Sequence, residues 1–143
     1  MSESSLDVIR EQYAATNRRD FTHVMDLYTD DVVLRVPRLE GLQNPGNYEG
    51  KEAVGEWFGD WFRTFAHDYR FEIQEIRELH GGLIFMLATH GGSGRLSGAE
   101  VHSRNAYLYR LRDGKIAEVG FFGTPDEALE AASLPEWSGG QTD

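Results

Sequence analysis

RNAYLYRLRDGKIAEVGFFGTPDEALEAASL, residues 104–134, decides how the rest of the chain is read. Asn105, Tyr107 and Tyr109 alternate with Ala106 and Leu108, the period of a strand whose two faces meet different surroundings. Asp113-Gly114 supplies a hairpin turn, since both residue types tolerate the backbone that such a turn requires. A second aromatic-rich strand follows over residues 115–122. Thr124-Pro125-Asp126-Glu127 then forms a capping box with proline at the first helical position, opening a helix that holds Leu129. Strands of this kind close a small curved sheet over a pocket.

Working outward, Leu6, Ile9, Tyr13 and Thr16 recur at helical spacing, so residues 6–17 read as an amphipathic helix. Asp20 is the N-cap of a short second helix in which Phe21, Val24, Met25 and Tyr28 share a face. Thr29-Asp30-Asp31 stops that helix, a β-branched strand covers 32–36 up to Pro37, and 38–50 has the composition of a loop. Residues 51–66 carry the strongest helical stripe, Val54, Trp57, Phe58, Trp61, Phe62 and Phe65, a face that must be buried. Tyr69, Phe71 and Ile73 alternate as a strand, but Ile76 and Leu79 break the parity, which predicts a bulge. Gly81-Gly82 turns the chain into a strand over 83–90, a loose loop spans 91–98, and strands over 99–111 and 115–122 finish the sheet. The order α-α-β-α-β-β-β-β-α, with helices collected on one face of a mostly antiparallel sheet, is an α+β layout. Residues 1–134 form one domain; 135–143 are expected to be a mobile tail in which Trp137 is able to dock.

With 143 residues, 40% hydrophobic and 27% charged, the composition is that of a globular domain with one core. Fourteen Lys and Arg against 24 Asp and Glu give a formal charge of -10, which opposes binding to nucleic acid or to an anionic membrane. The chain has no cysteine, so disulfides, thiolate metal sites and cysteine nucleophiles are excluded. No apolar run approaches a membrane span, and the polar start MSESSLDVIREQ lacks signal-peptide regions, making a cytoplasmic protein the expectation.

The element order and several residue clusters together resemble the SnoaL-like polyketide cyclase group of the nuclear transport factor 2-like superfamily, which includes ketosteroid isomerase. The carriers are Tyr13, Asn17 and Asp20 at a helix end, Tyr28-Thr29-Asp30-Asp31-Val32, the helix start Gly50-Lys51-Glu52-Ala53-Val54, the hairpin Arg112-Asp113-Gly114-Lys115-Ile116, and Glu127-Ala128-Leu129-Glu130-Ala131-Ala132. The resemblance spans residues 6–134. It implies a cone-shaped, mostly antiparallel sheet wrapped around the long helix, an apolar pocket on the concave side, and a homodimer formed through the outer sheet surface. Trp57 and Trp61, with Phe58 and Phe62, would line or back that pocket, together with Leu34, Val36, Met86, Tyr107 and Phe122; Tyr13 and Asn105 join the pocket set.

The catalytic carboxylates of better-known relatives have no counterpart here. Matching ketosteroid isomerase puts its base on Val36, its oxyanion tyrosine near Gln12 or Tyr13, and its oxyanion aspartate on Tyr107. Matching limonene epoxide hydrolase puts its arginine and aspartates on Ala88, His90 and Phe121. His90 shares parity with Met86 and Ala88 and would be a general acid or base near neutral pH, or else a strand-end histidine bonded to loop backbone. Tyr107 would donate a hydrogen bond to a ligand oxygen, or else be a core tyrosine with a buried partner. His102 and Arg104 have the opposite parity and belong to the outer face. No metal-binding spacing, P-loop, dinucleotide fingerprint or nucleophile elbow is present, so no metal and no cofactor are expected. Two functional readings follow: an isomerase, cyclase or hydrolase acting through His90 and Tyr107 on an apolar or polycyclic carbonyl compound, or a non-catalytic module that binds a small apolar molecule or dimerises.

Overall fold

A computed structural model describes residues 2–38, 45–64, 69–79, 82–93, 100–134 and 137. The elements in chain order are α1 (Ser2–Asn17), α2 (Phe21–Asp26), β1 (Tyr28–Val36), β2 (Gly46–Glu49), α3 (Lys51–Thr64), β3 (Arg70–Glu78), β4 (Leu83–Ser93), β5 (Glu100–Arg112), β6 (Lys115–Phe122) and α4 (Pro125–Ala131). The fold is α+β: six strands form a single unclosed sheet in the order β2-β1-β6-β5-β4-β3. Only the β1–β6 pair is parallel; the other pairs are antiparallel. Among the described residues no helix is long and apolar enough to cross a membrane.

Capping explains the helix ends. The Asp20 carboxylate accepts from the His23 N–H at 3.3 Å and starts α2. Thr124 and Glu127 complete a reciprocal capping box at α4, which answers two of the backbone donors that a helix start leaves over. Thr29-Asp30-Asp31, expected to separate helix from strand, lies inside β1. Leu27 caps α2 instead, and its carbonyl accepts from Ile116 N–H at 2.8 Å, tying the strand start to β6. The expected loop over 38–50 contains β2, which pairs Val33 with Glu49 through Val36 with Gly46. Phe65, His67, His80 and residues 94–99 lie outside the described residues, and β4 runs three residues into the segment read as a loop.

Besides an irregularity in β1 between Tyr28 and Val33, two bulges set which side chains face inward. In β3, Ile73 pairs with Ala88 and Glu75 with Leu87, so Gln74 is an extra residue and Ile76 returns to the face of Phe71 and Ile73. In β6, Arg110 pairs with Glu118 but Leu111 with Ile116, so Ala117 is the extra residue there. The inner face carries the main core, in which Leu34, Met86, Tyr107, Tyr109 and Val119 pack with Ile9 of α1 and Val54, Trp57 and Trp61 of α3. The outer face carries a second core of Leu83, Phe85, Ala106 and Leu108 under Ala128, Ala132 and Trp137. The helices are therefore not all on one face: α4 packs on the side opposite α1 and α3, because its apolar residues match the outward set of β4 and β5.

Candidate functional site

Between the inner face and the helices lies a cavity of about 390 Å³. Gln12, Tyr13 and Thr16 of α1 line it, as do Trp57, Phe58, Trp61 and Phe62 of α3. The strands contribute Phe71, His90, Asn105, Tyr107, Tyr109 and Phe121. Phe21 and Met25 of α2, with Gly55, Gly59 and Arg63 of α3, complete the lining. Arg63 is the single charged residue among the described lining residues, and no carboxylate is among them. Arg63 is exposed and paired with Asp60, so the rest of the lining favours a largely apolar guest: a charge among the aromatic rings would lose water without gaining an opposite charge.

The polar groups form one chain and two separate pairs, and among the described residues they leave the Tyr107 hydroxyl and Gln12 Oε1 over. Asn105 Oδ1 only accepts, so His90 Nε2, 2.6 Å away, carries the proton that joins them. The neutral ring then accepts at Nδ1 from the Tyr69 hydroxyl at 2.5 Å. Asn105 Nδ2 donates to the Phe122 carbonyl at 3.4 Å, which fixes the amide in that orientation. Burial pushes the His90 pKa below its ordinary value against a smaller opposing effect of the Asn105 bond, so the ring is neutral at pH 7. The Tyr13 and Tyr109 hydroxyls share a short hydrogen bond, and in a separate pair Gln12 Nε2 donates to the Tyr28 hydroxyl at 3.0 Å.

Tyr107 is the donor left over. Its side chain is 5% exposed and lines the cavity, and among the described residues its hydroxyl has no hydrogen-bond partner. Burial holds all these phenols well above their ordinary pKa, so each remains a neutral donor.

Of the residues singled out in the sequence, His90, Tyr107, Tyr13, Trp57, Trp61 and Asn105 are brought together around this one space. Leu34, Val36 and Met86 are buried in the main core but do not line the cavity. Phe122 is a correction. Tyr107 pairs directly with Phe121, which puts Phe121 on the cavity face and Phe122 on the outer face, 6.5 Å from Trp137. The bulge at Ala117 shifts the parity of β6, a consequence of the partner strand that the local pattern does not display. His90 is bonded to two side chains rather than to loop backbone. Nothing local marks Tyr69 or Tyr28 as site residues, because each reaches its polar partner from a distant segment. Tyr109 had a usable signal, sharing parity with Tyr107.

Residues 9–119 match the family model of the SnoaL-like domain. No curated protein matches the sequence. Among solved structures, a nuclear transport factor 2-like protein of unknown function from Burkholderia pseudomallei is 21% identical with a TM-score of 0.73, over 94% of this chain and 100% of that one. A Mycobacterium tuberculosis protein in complex with estradiol-17beta-hemisuccinate is 18% identical, TM-score 0.72, over 88% and 97%. TerC co-crystallised with polyporic acid is also 18% identical, TM-score 0.72, over 89% and 96%. At these identities the likeness establishes the fold.

Proposed function

The chain belongs to the SnoaL-like domain family, and from that premise we propose that its cavity binds an uncharged, apolar small molecule bearing a carbonyl-type oxygen. The observation that carries the reading is the Tyr107 hydroxyl: among the described residues it has no hydrogen-bond partner, and it faces an aromatic space whose described lining has no carboxylate. The hydroxyl opens on the cavity, so a ligand oxygen there accepts a hydrogen bond that the protein leaves unmade. The ligands of the mycobacterial protein and TerC support a ring-bearing guest, and both also carry an acidic group that this reading does not require.

The test compares 1-tetralone with tetralin, its ketone-free counterpart, by calorimetric titration. The wild type is expected to prefer the ketone, and Tyr107→Phe to lose about 0.5–1.5 kcal/mol of ketone affinity while leaving tetralin unchanged. Equal weakening for both compounds, or no binding of the ketone, sinks the proposal.

A second reading, catalysis on that carbonyl, draws on the Tyr69–His90–Asn105 chain beside the cavity. Tyr107 would polarise the oxygen, and the His90 ring would take a substrate proton once its bond to Tyr69 gives way. Turnover of a bound ketone that disappears in His90→Gln, with binding retained, distinguishes this reading from binding alone.

A further inference from the structure

We propose that Arg19 is a latch on the mouth of this cavity. Its guanidinium keeps Phe62 of α3 beside Phe21 of α2, and its release sets how fast a small molecule enters and leaves. The inference concerns access to the cavity and is independent of the chemistry of the guest.

Exposure shows where the mouth is. Among the described residues that line the cavity, only Phe21 and Arg63 are exposed, and the others are buried or half-buried. They stand at the start of α2 and in the last turn of α3, where the Phe21 and Phe62 rings meet with their centres 4.8 Å apart. A guest entering there has to part this pair of rings.

Arg19 occupies a position that suits glycine better. The Asp20 N–H bonds the Ala15 carbonyl at 2.9 Å and the Arg19 N–H bonds the Thr16 carbonyl at 3.1 Å. These are the paired bonds of a helix end that closes through one left-handed residue, and Arg19 has a φ of 64°. A side chain is strained in that conformation, whereas glycine adopts it freely. The arginine makes contacts that glycine lacks. Its Nη1 donates to the Thr16 carbonyl at 3.1 Å and its Nη2 to the Tyr69 carbonyl at 2.6 Å. Its guanidinium carbon lies 5.3 Å from the centre of the Phe62 ring, within reach of a cation–π attraction. The bond to Thr16 stays inside the corner between α1 and α2. The other two contacts tie that corner to the segment before β3 and to α3, so Phe62 touches both the cation and the Phe21 ring. A strained corner whose side chain is rewarded only by contacts beside a mouth marks a functional position.

Trp57 and Trp61, each 5% exposed, line the cavity and report the entry of acrylamide, a small uncharged quencher. Trp137, the third tryptophan, lies in the outer core and is replaced by Trp137→Phe throughout; if that background does not fold, the chain with Trp137 intact serves, since every variant shares it. Arg19→Gly and Arg19→Asn both suit a left-handed backbone, and both lack the guanidinium. Each should raise the acrylamide quenching constant about 3- to 10-fold. Relief of strain offsets the lost bonds, so each should melt within about 5 °C of the parent protein. In stopped flow with 1-tetralone, entry and exit should quicken together, leaving Kd within about twofold. Unchanged quenching in either variant overturns the latch. A larger fall in melting temperature also overturns it, since Arg19 would then be a plain structural tie. So does faster exit without faster entry, because Arg19 would then hold the guest and not the mouth. If 1-tetralone does not bind at all, the binding reading falls and the quenching still decides the latch.

Discussion

His90 shows how far a single residue can be read. Its type and strand parity predict an inward imidazole, and the ring does border the cavity. Its partners are not local: Tyr69 arrives from the segment before β3 and Asn105 from β5, so sequence spacing gives no sign that both nitrogens are held. The tautomer has a consequence for pH. The folded-state pKa lies below the ordinary value of 6.5, mainly because burial disfavours the charged ring. The unfolded chain therefore binds the proton more readily. The His90 contribution to stability is complete above pH 6.5 and is lost as the pH falls from there through the lower folded value. Thermal unfolding between pH 8 and pH 5 should show the wild type losing stability across the lower part of this range, with a shallower loss in His90→Gln. Parallel profiles for the two proteins would mean that the ring is not buried neutral.

At the level of elements, patterns that close on themselves were legible and those completed by a partner were not. The capping box at Thr124, the Asp113-Gly114 turn and the α3 stripe are written within a few residues each. The β3 bulge could also be read, because Phe71, Ile73 and Ile76 cannot share a face without an inserted residue. The β6 bulge could not: Ile116-Ala117-Glu118-Val119 carries no clear alternation, and only the register with β5 identifies Ala117 as extra. Short β2 is likewise defined by β1 rather than by its own Gly-Asn-Tyr-Glu sequence. The β3 bulge can be tested directly. Gln74 is exposed, so Gln74→Ala should change stability by no more than about 0.5 kcal/mol. Deleting Gln74 rotates Ile76 away from the core and turns a charged neighbour towards it, and should cost about 2–3 kcal/mol or more in urea unfolding. A deletion as mild as the alanine substitution would show that β3 slips its register freely.

On the scale of the whole molecule, the outer face is fastened by Trp137, which follows α4. Trp137, only 1% exposed, rests on β6 with the Arg35 guanidinium 5.5 Å from its ring centre. Arg35 and Arg110 each bond Glu118 at 2.9 Å, so one glutamate links β1, β5 and β6 beside the indole. The outer surface expected to mediate dimer contact is thus partly covered by α4 and Trp137. Close approach at Gly120 makes this seat possible: a Cβ there would stand 2.6 Å from indole Cζ2. Trp137→Ala should cost about 3–5 kcal/mol, a large share of the roughly 5–15 kcal/mol that holds a domain of this size folded. Gly120→Ala alone should cost about 1–3 kcal/mol through overpacking. Because the indole is what the new methyl strikes, Gly120→Ala should cost almost nothing further once Trp137 is alanine, and the double-mutant cycle should show strong coupling. Simple addition of the two losses would unseat Trp137 from Gly120. Ketone affinity well below the melting temperature should be unchanged in all three proteins, since the sheet separates this fastening from the cavity and only its inner face meets the ligand.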